Sequence, residues 1–488
     1  MRRAAICLIL AVCLLLPACR MEETSPAADT RPSGVLQTLQ GTVVECSGDM
    51  LTIVSSETQY SFRVEEDALH APEDGIQIGC PARVSYYGTL TASQIPEPVD
   101  VVRIVVLPLA AEENAQMEIT QDAVPTVSTE EPASTQSSDL PQVDAASTGQ
   151  TSESDDPAEQ ILHSMTLEEK VGQMILARCP QSGAPEQAAA YHLGGYLLFA
   201  RDFDGKTADE VSDEIQSIQS SAAIPLLIGV DEEGGEVNRI SRYPVFRDQP
   251  FLSPQQLYQQ GGWEAIRSDT VEKCALLRSL GINLNMAPVC DVSTDPSDYI
   301  YSRTLGQDAA ATAQYVELVV GEMRGQQMGC VLKHFPGYGN NTDTHAGLST
   351  DTRSLAMLES SDLLPFQSGM GAGAGAVLVS HNIVACMDSD APASLSSAVH
   401  EYLREELGFE GVILTDALDM GAITGYTDAR SAAVQAVLAG NDLLCCTDFE
   451  AAISAILESL EQGVILEESI DQSVLRILRW KLELGILC

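Results

Sequence analysis

The stretch KHFPGYGNNTDTHAG, residues 333 to 347, gathers groups that can hold charge or move a proton. Lys333 and His334 leave an apolar run, GCVL, so they stand at the end of a buried segment. Asp343 and His345 lie two residues apart in a segment too rich in Gly, Asn and Thr for helix or strand. The chain has seven histidines, and two of them fall here. An imidazole titrates near neutral pH, which suits it to giving and then taking one proton. A carboxylate two residues away can bond the other ring nitrogen and raise its basicity. From spacing alone the pair is equally a polar loop with a chance histidine.

Other polar residues follow apolar runs in the same way. PLLIGVD ends in Asp231 and continues into EEGGEVNR, which carries Arg239. GINLNMAPVCD ends in Asp291, with Arg303 further along its loop. GAVLVSH ends in His381, followed by Asn382, and GVILTDA holds Thr415 and Asp416. One such residue alone is best read as a strand end bonded to a neighbouring loop. Several of them aimed at one rim form a site. Carboxylates, Arg, Lys and His, with no nucleotide loop and no metal-ligand spacing, suit a polyhydroxylated substrate held by charge-assisted hydrogen bonds. Glycoside cleavage needs a carboxylate at the developing oxocarbenium ion and a proton donor for the leaving oxygen. Asp416 suits the first role. Its structural alternative is capping the helix that DALDMGAI begins.

The elements that must position these residues are regular. From residue 158 to 488, eight short apolar runs (GQMILAR, GGYLLFA, PLLIGVD, GINLNMAP, GCVLKHFP, GAVLVSH, GVILTDA and GNDLLCC) alternate with helical patterns. That alternation predicts an α/β fold with a parallel sheet covered on both faces. Eight units predict a (β/α)8 barrel, with its site at the carboxyl ends of the strands.

The rest of the chain reads differently. Residues 34–108 hold short β-branched runs between turn signals, which predict a small all-β, barrel-like domain of five or six strands. Cys46 and Cys80 are within it and could pair. Residues 109–157 read as a disordered acidic linker: from Ala110 to Glu159 there are twelve acidic residues and no Lys or Arg. Residues 1–19 combine Arg2, Arg3, an apolar run and LPAC, as in a signal peptide of the lipoprotein type with Cys19 as the lipidated residue. Residues 20–33 would be its tether, and the expected location is outside the cytoplasm on a membrane; a plain secretory signal cleaved nearby, leaving the protein secreted, is the alternative. The net charge of −44 argues against nucleic acid as a partner. Cysteines without CxxC spacing give no zinc framework, and no cofactor is expected.

The barrel segment resembles glycoside hydrolase family 3, and within it the bacterial β-N-acetylglucosaminidases of cell-wall turnover. MTLEEKVGQM, IPLLIGVDEEGGEVNR, GINLNMAPVCDVSTDP, SRTLG, KHFPGYG, DTH, PASLS and GFEGVILTDALDMGAI stand in that family's order over residues 160 to 485. The resemblance implies a retaining two-step mechanism. Asp416 matches the nucleophile, His345 the mobile-loop acid/base and Asp343 the aspartate beside it. Asp231, Arg239, Arg303, Lys333 and His334 match the residues that hold the sugar. The Asp-x-His pair, with the chain ending at Cys488 soon after the eighth unit, points to an N-acetylglucosaminidase acting on muropeptides or chitin-like fragments. A β-glucosidase or β-xylosidase, and a sugar-binding lipoprotein without catalysis, are the alternatives. Glu236 stands where many members have Arg, Tyr338 replaces a common His, and Ala417 stands where a second Asp is usual.

Overall fold

The computed structural model describes residues 36–47, 50–55, 58–63, 69–70, 78, 81–87, 100–106, 156–341, 343–344 and 347–487. The leader, the tether, the acidic stretch up to residue 155, Cys80 and His345 lie outside the described residues.

All eight apolar runs of the C-terminal region become parallel strands. They are β1 Ile175–Arg178, β2 Gly195–Leu198, β3 Leu227–Val230, β4 Leu284–Asn285, β5 Gly329–Phe335, β6 Ala376–Val379, β7 Val412–Thr415 and β8 Leu444–Cys446. Their order in the sheet is β7-β6-β5-β4-β3-β2-β1-β8, so neighbours in sequence are neighbours in space. A parallel bridge from Leu414 to Leu443 joins the two ends and closes the barrel. Strands this short and apolar, buried along nearly their whole length, are what a sheet covered by helices on its outer face requires.

Local sequence sets the helices between them. Thr207 and Glu210 form a capping box for Ala208–Ser221, and Ser253 and Gln256 form one for Pro254–Ser279, with Pro254 in the first turn. Asp308 accepts from Ala311 N and starts Ala309–Gly325. The long segment Pro254–Ser279 is two helices that meet at Gly262, whose φ of 59° other residues rarely adopt. Inside the barrel, a Cβ on Gly195 would lie 2.4 Å from the carbonyl oxygen of Leu227, so the strand contact there admits only glycine. Outside it, Phe335 meets Phe366 edge to face with centroids 5.2 Å apart, tying β5 to the helix Leu363–Gly371.

The N-terminal strands form a separate six-stranded sheet, antiparallel except where Leu69–His70 runs beside Ile104–Val105. The strand Leu36–Ser47 pairs with Pro81–Tyr87 through its first half and with Met50–Ser55 through its second, slipping register between Val43 and Glu45. Val43, Leu51, Ile53, Phe62 and Val84 are buried in it. Its edges are Thr58–Arg63 and Leu69–His70, and among the described residues no pairing joins them into the barrel that the sequence pattern suggests.

Candidate active site

The carboxyl ends of β3, β4 and β5 carry one connected set of charges. Lys333, the fifth residue of β5, lies on the buried floor of the mouth with 3% of its side chain exposed. Its Nζ is 2.8 Å from Asp231 Oδ1 and 2.5 Å from Glu233 Oε1. Arg303 grips Glu233 with two bonds, Nε to Oε2 at 3.0 Å and Nη2 to Oε1 at 2.8 Å. Arg303 Nη2 also donates to His334 Nε2 at 3.2 Å, and His334 Nδ1 donates to Asp291 Oδ2 at 2.8 Å. These partners assign His334 the Nδ1-protonated form. Asp291 takes the backbone N–H of Tyr338 at 2.7 Å as well. Burial pushes Glu233 toward its acid form, but Arg303 and Lys333 outweigh burial and hold it well below the usual range. Burial likewise works against the charge on Lys333, and Asp231 and Glu233 restore it and raise its pKa.

The loop after β3 is built to keep these groups still. Glu232 is fully buried and accepts the backbone N–H groups of Arg239, Ile240 and Ser241. Asn285 on β4 bonds both the N–H and the C=O of Glu232. Lys273, paired with Asp269 at 3.0 Å, donates to the Glu233 carbonyl at 3.0 Å. Arg239 Nη2 stands 3.9 Å from Asp231 Oδ2.

Asp416 follows Thr415 directly at the end of β7 and is partly exposed. Its Oδ1 accepts the N–H of Ala417 at 2.8 Å. The next helix is Gly421–Thr424 and has Met420 at its N-cap position, so Asp416 is not its cap. Burial favours the neutral acid at Asp416, yet the neighbouring His381 and His334, the Ala417 N–H and Lys333 together hold its pKa below the ordinary 3.8. Asp416 therefore carries its charge at neutral pH, as a nucleophile must. On β6, His381 Nε2 donates to the Ala417 carbonyl at 2.9 Å and Nδ1 meets Ser394 Oγ at 2.7 Å. Asn382 is fully buried with neither amide atom hydrogen-bonded.

The segment leading to His345 reaches across this mouth. The Tyr338 hydroxyl bonds Thr344 Oγ1, and the Thr344 carbonyl accepts the N–H of Ala422 from the element after β7 at 3.1 Å. Asp343 hydrogen-bonds the Tyr299 hydroxyl of the β4 loop. Burial and then the charge of Asp416 raise the Tyr338 hydroxyl above its ordinary value, so Tyr338 stands in the field of Asp416. The residue immediately before His345 is thus tied both to a neighbour of Asp416 and to the chain that follows it. The structure brings Asp231, Arg239, Arg303, Lys333, His334, Asp343 and Asp416 to one rim.

Glu233 escapes the reading from sequence because it lies three residues beyond the strand end. Asp291 is visible there as a strand end, but its role as the partner of His334 is not. Among the described residues no group of three or more His, Cys, Asp or Glu side chains has the geometry of a metal site.

Residues 166–480 match the family described as the glycosyl hydrolase family 3 N terminal domain. A β-hexosaminidase of Nitrosomonas eutropha is 32% identical over 283 residues, covering 55% of this chain and 78% of that one. The β-hexosaminidase LpqI of Mycobacterium tuberculosis is 32% identical over 328 residues, covering 64% of this chain and 82% of that one. Among solved structures, a family 3 β-N-acetylglucosaminidase of Paenibacillus is similar at a TM-score of 0.62 and 32% identity. That likeness covers 66% of this chain and 63% of the Paenibacillus chain.

Proposed function

The chain belongs to glycoside hydrolase family 3, and we propose that it is an exported, retaining exo-β-N-acetylglucosaminidase that removes terminal GlcNAc from muropeptides or chitin-like fragments. The observation that carries the reading is the meeting of Asp416 and the Asp343–Thr344 segment at one mouth, over a preformed network that can grip sugar hydroxyls.

In this reading the sugar is held by Asp231, Arg239, Arg303, Lys333 and His334. Asp416 attacks C1 and forms a glycosyl ester as the bond to the leaving oxygen breaks. His345 protonates that oxygen as it departs. It then takes a proton from water, whose oxygen attacks C1 and releases the sugar and the free carboxylate. Asp343, two residues before His345, is proposed to orient the imidazole and favour its protonated form. The β-hexosaminidase names of the relatives support the N-acetylamino sugar, and the leader with Cys19 supports export and lipid anchoring.

Parallel assays on aryl N-acetylglucosaminide, glucoside and xyloside test the sugar. The expected result is a kcat/KM at least about a hundredfold higher for the first, since a site that hydrogen-bonds a polar group rejects substrates lacking it. Equal turnover of glucoside contradicts the assignment. Exchanging His345→Gln is expected to cost about 10²–10⁴ in kcat on a poor leaving group and much less on an activated aryl glycoside. Equal losses on both remove His345 as the acid.

A further inference from the structure

Arg178 ends β1, and the proposed mechanism leaves it without a task. It faces the inside of the barrel. A Cβ on Gly195 would meet Leu176 Cδ1 at 2.8 Å, and one on Gly229 would meet the Leu284 and Leu197 side chains. Tyr196, between Gly195 and Leu197, points the other way and bonds the Ala184 carbonyl in the helix layer. Side chains alternate along a strand, so Leu176, Leu197 and position 229 share the interior face. Two residues further on, that face carries Arg178 on β1, Phe199 after β2 and Asp231 after β3. Phe199 is still extended, with φ −120° and ψ 169°, so the alternation reaches it.

Arg178 is partly exposed, and its guanidinium lies 4.4 Å from the centroid of Phe199. Arg239 lies 6.0 Å from the same ring. The Nε atoms of both arginines are buried with no hydrogen-bond partner. Arg178 has no ion pair among the described residues. The nearby carboxylate of Asp202 is engaged elsewhere, with the Phe199 N–H at 2.7 Å and Arg201 at 3.5 Å. In a chain with 70 acidic residues and 26 Lys and Arg, an interior guanidinium beside a substrate mouth that forms no ion pair with a carboxylate among the described residues calls for an anion.

The barrel order says where on the sugar that anion would be. β7 and β3 stand on opposite sides of an eight-stranded ring, as do β5 and β1. With C1 at Asp416 on β7, the C4 end of the ring reaches Asp231 at β3. The flank of β4 and β5 supplies the donors Arg303, Lys333 and His334, which suit the hydroxyl-bearing C2–C3 edge. The opposite flank offers the apolar Phe199 ring and then Arg178, which suits the ring oxygen and the C6 arm.

We propose that Arg178 and Arg239, held against Phe199, form a subsite for an anionic substituent, a phosphate or sulfate ester, on the C6 arm of the terminal sugar. This rests on the orientation of the sugar in the proposed function, and it names a substrate class for that site. The strongly negative chain repels such a substrate at long range, and salt weakens that repulsion while leaving the close contacts largely intact. The 6-O-substituted substrate therefore gains relative to the unsubstituted one as ionic strength rises.

The test measures kcat/KM for an aryl N-acetylglucosaminide and its 6-O-sulfate and 6-O-phosphate. The variants are Arg178→Gln and, in case that protein does not fold, Arg178→Lys. The ratio of 6-O-substituted to unsubstituted substrate is expected to fall about tenfold or more in Arg178→Gln, the size of a lost charge-assisted contact. A ratio unchanged by the substitution overturns the proposal. Calorimetric binding of GlcNAc 6-phosphate against GlcNAc, and of glucose 6-phosphate against glucose, gives a readout without turnover. Tighter binding of the phosphorylated member, lost in the variant, supports the subsite even if the N-acetylglucosaminide assay fails and the proposed activity with it. Equal or weaker binding of both phosphorylated sugars overturns the subsite whichever sugar is cleaved.

Discussion

Two buried lysines mark opposite ends of the barrel. Lys333 lies at the mouth between Asp231 and Glu233, with Arg303 closing the set, and its pKa is raised. Lys481 lies near the start of β1, fully buried, and donates to the amide oxygen of Gln173 at 2.7 Å. Burial pushes it down to about 7. The same side chain is held charged at one end and is about half charged at pH 7 at the other. The difference is the presence of carboxylates, since desolvation opposes the ammonium in both places. In the proposed function the mouth holds charge so that it can grip sugar hydroxyls by charge-assisted bonds. The floor needs only a hydrogen bond and the apolar stem.

The largest expected effect separates chemistry from holding at the mouth. Asp416→Ala is predicted to lower kcat by about 10⁴-fold or more, as for loss of a nucleophile. It should leave the melting temperature close to that of the native protein, because Asp416 accepts one bond in place of the several made around Glu233. A large loss of stability instead would mean that Asp416 belongs to the holding network.

Lys333→Met strikes that network. Glu233 keeps Arg303 but loses its second cation, and Asp231 loses its close one. Breaking a buried pair by removing one partner costs about 3–5 kcal/mol, read as a drop in the denaturation midpoint. A drop below about 1 kcal/mol would remove the distinction between the two lysines.

Lys481→Met should move the other way. Between about 7 and 10.5 the unfolded chain binds more protons at this position than the folded one does. The native protein is therefore destabilised by this lysine in full below pH 7 and progressively less as pH rises to 10.5. The Met variant, which leaves Gln173 Oε1 without its donor, is predicted to gain about 1–3 kcal/mol at neutral pH. The gain shrinks toward pH 10. Urea denaturation of both proteins at pH 6, 7, 8, 9 and 10 reads it, and a pH-independent difference would show that the lysine is not desolvated.

The smallest effect concerns the exposed rim. Glu236 bonds Ser302 Oγ at 2.9 Å at the surface. Glu236→Gln is predicted to change kcat/KM on a neutral aryl glycoside less than about threefold, as exposed charges do. A tenfold change would place Glu236 against the leaving group.

Much of this arrangement is legible in the sequence because apolar runs end where strands end. GCVL followed by KH, and VILT followed by D, predict both the barrel and the rim positions of Lys333, His334 and Asp416. The same rule applies to ILAR, but that Arg178 faces the interior depends on β2 packing beside it, which the run alone does not show. Glu233 is hidden differently. It sits in a run of three acids, and only the fold shows that Glu232 is spent on backbone N–H groups while Glu233 faces Arg303 and Lys333. The N-terminal strands were predictable from alternation, but whether they close into a barrel depends on pairing between distant strands, which composition does not encode.

The most direct test of the account is to trap the glycosyl intermediate with a 5-fluoro N-acetylglucosaminyl donor and map the labelled peptide. One sugar is expected to be bound covalently within VILTDALDM, on Asp416, with no label in Asp416→Ala. A label on Glu233, Asp291 or another carboxylate, or full turnover by a protein lacking the Asp416 carboxylate, would contradict it.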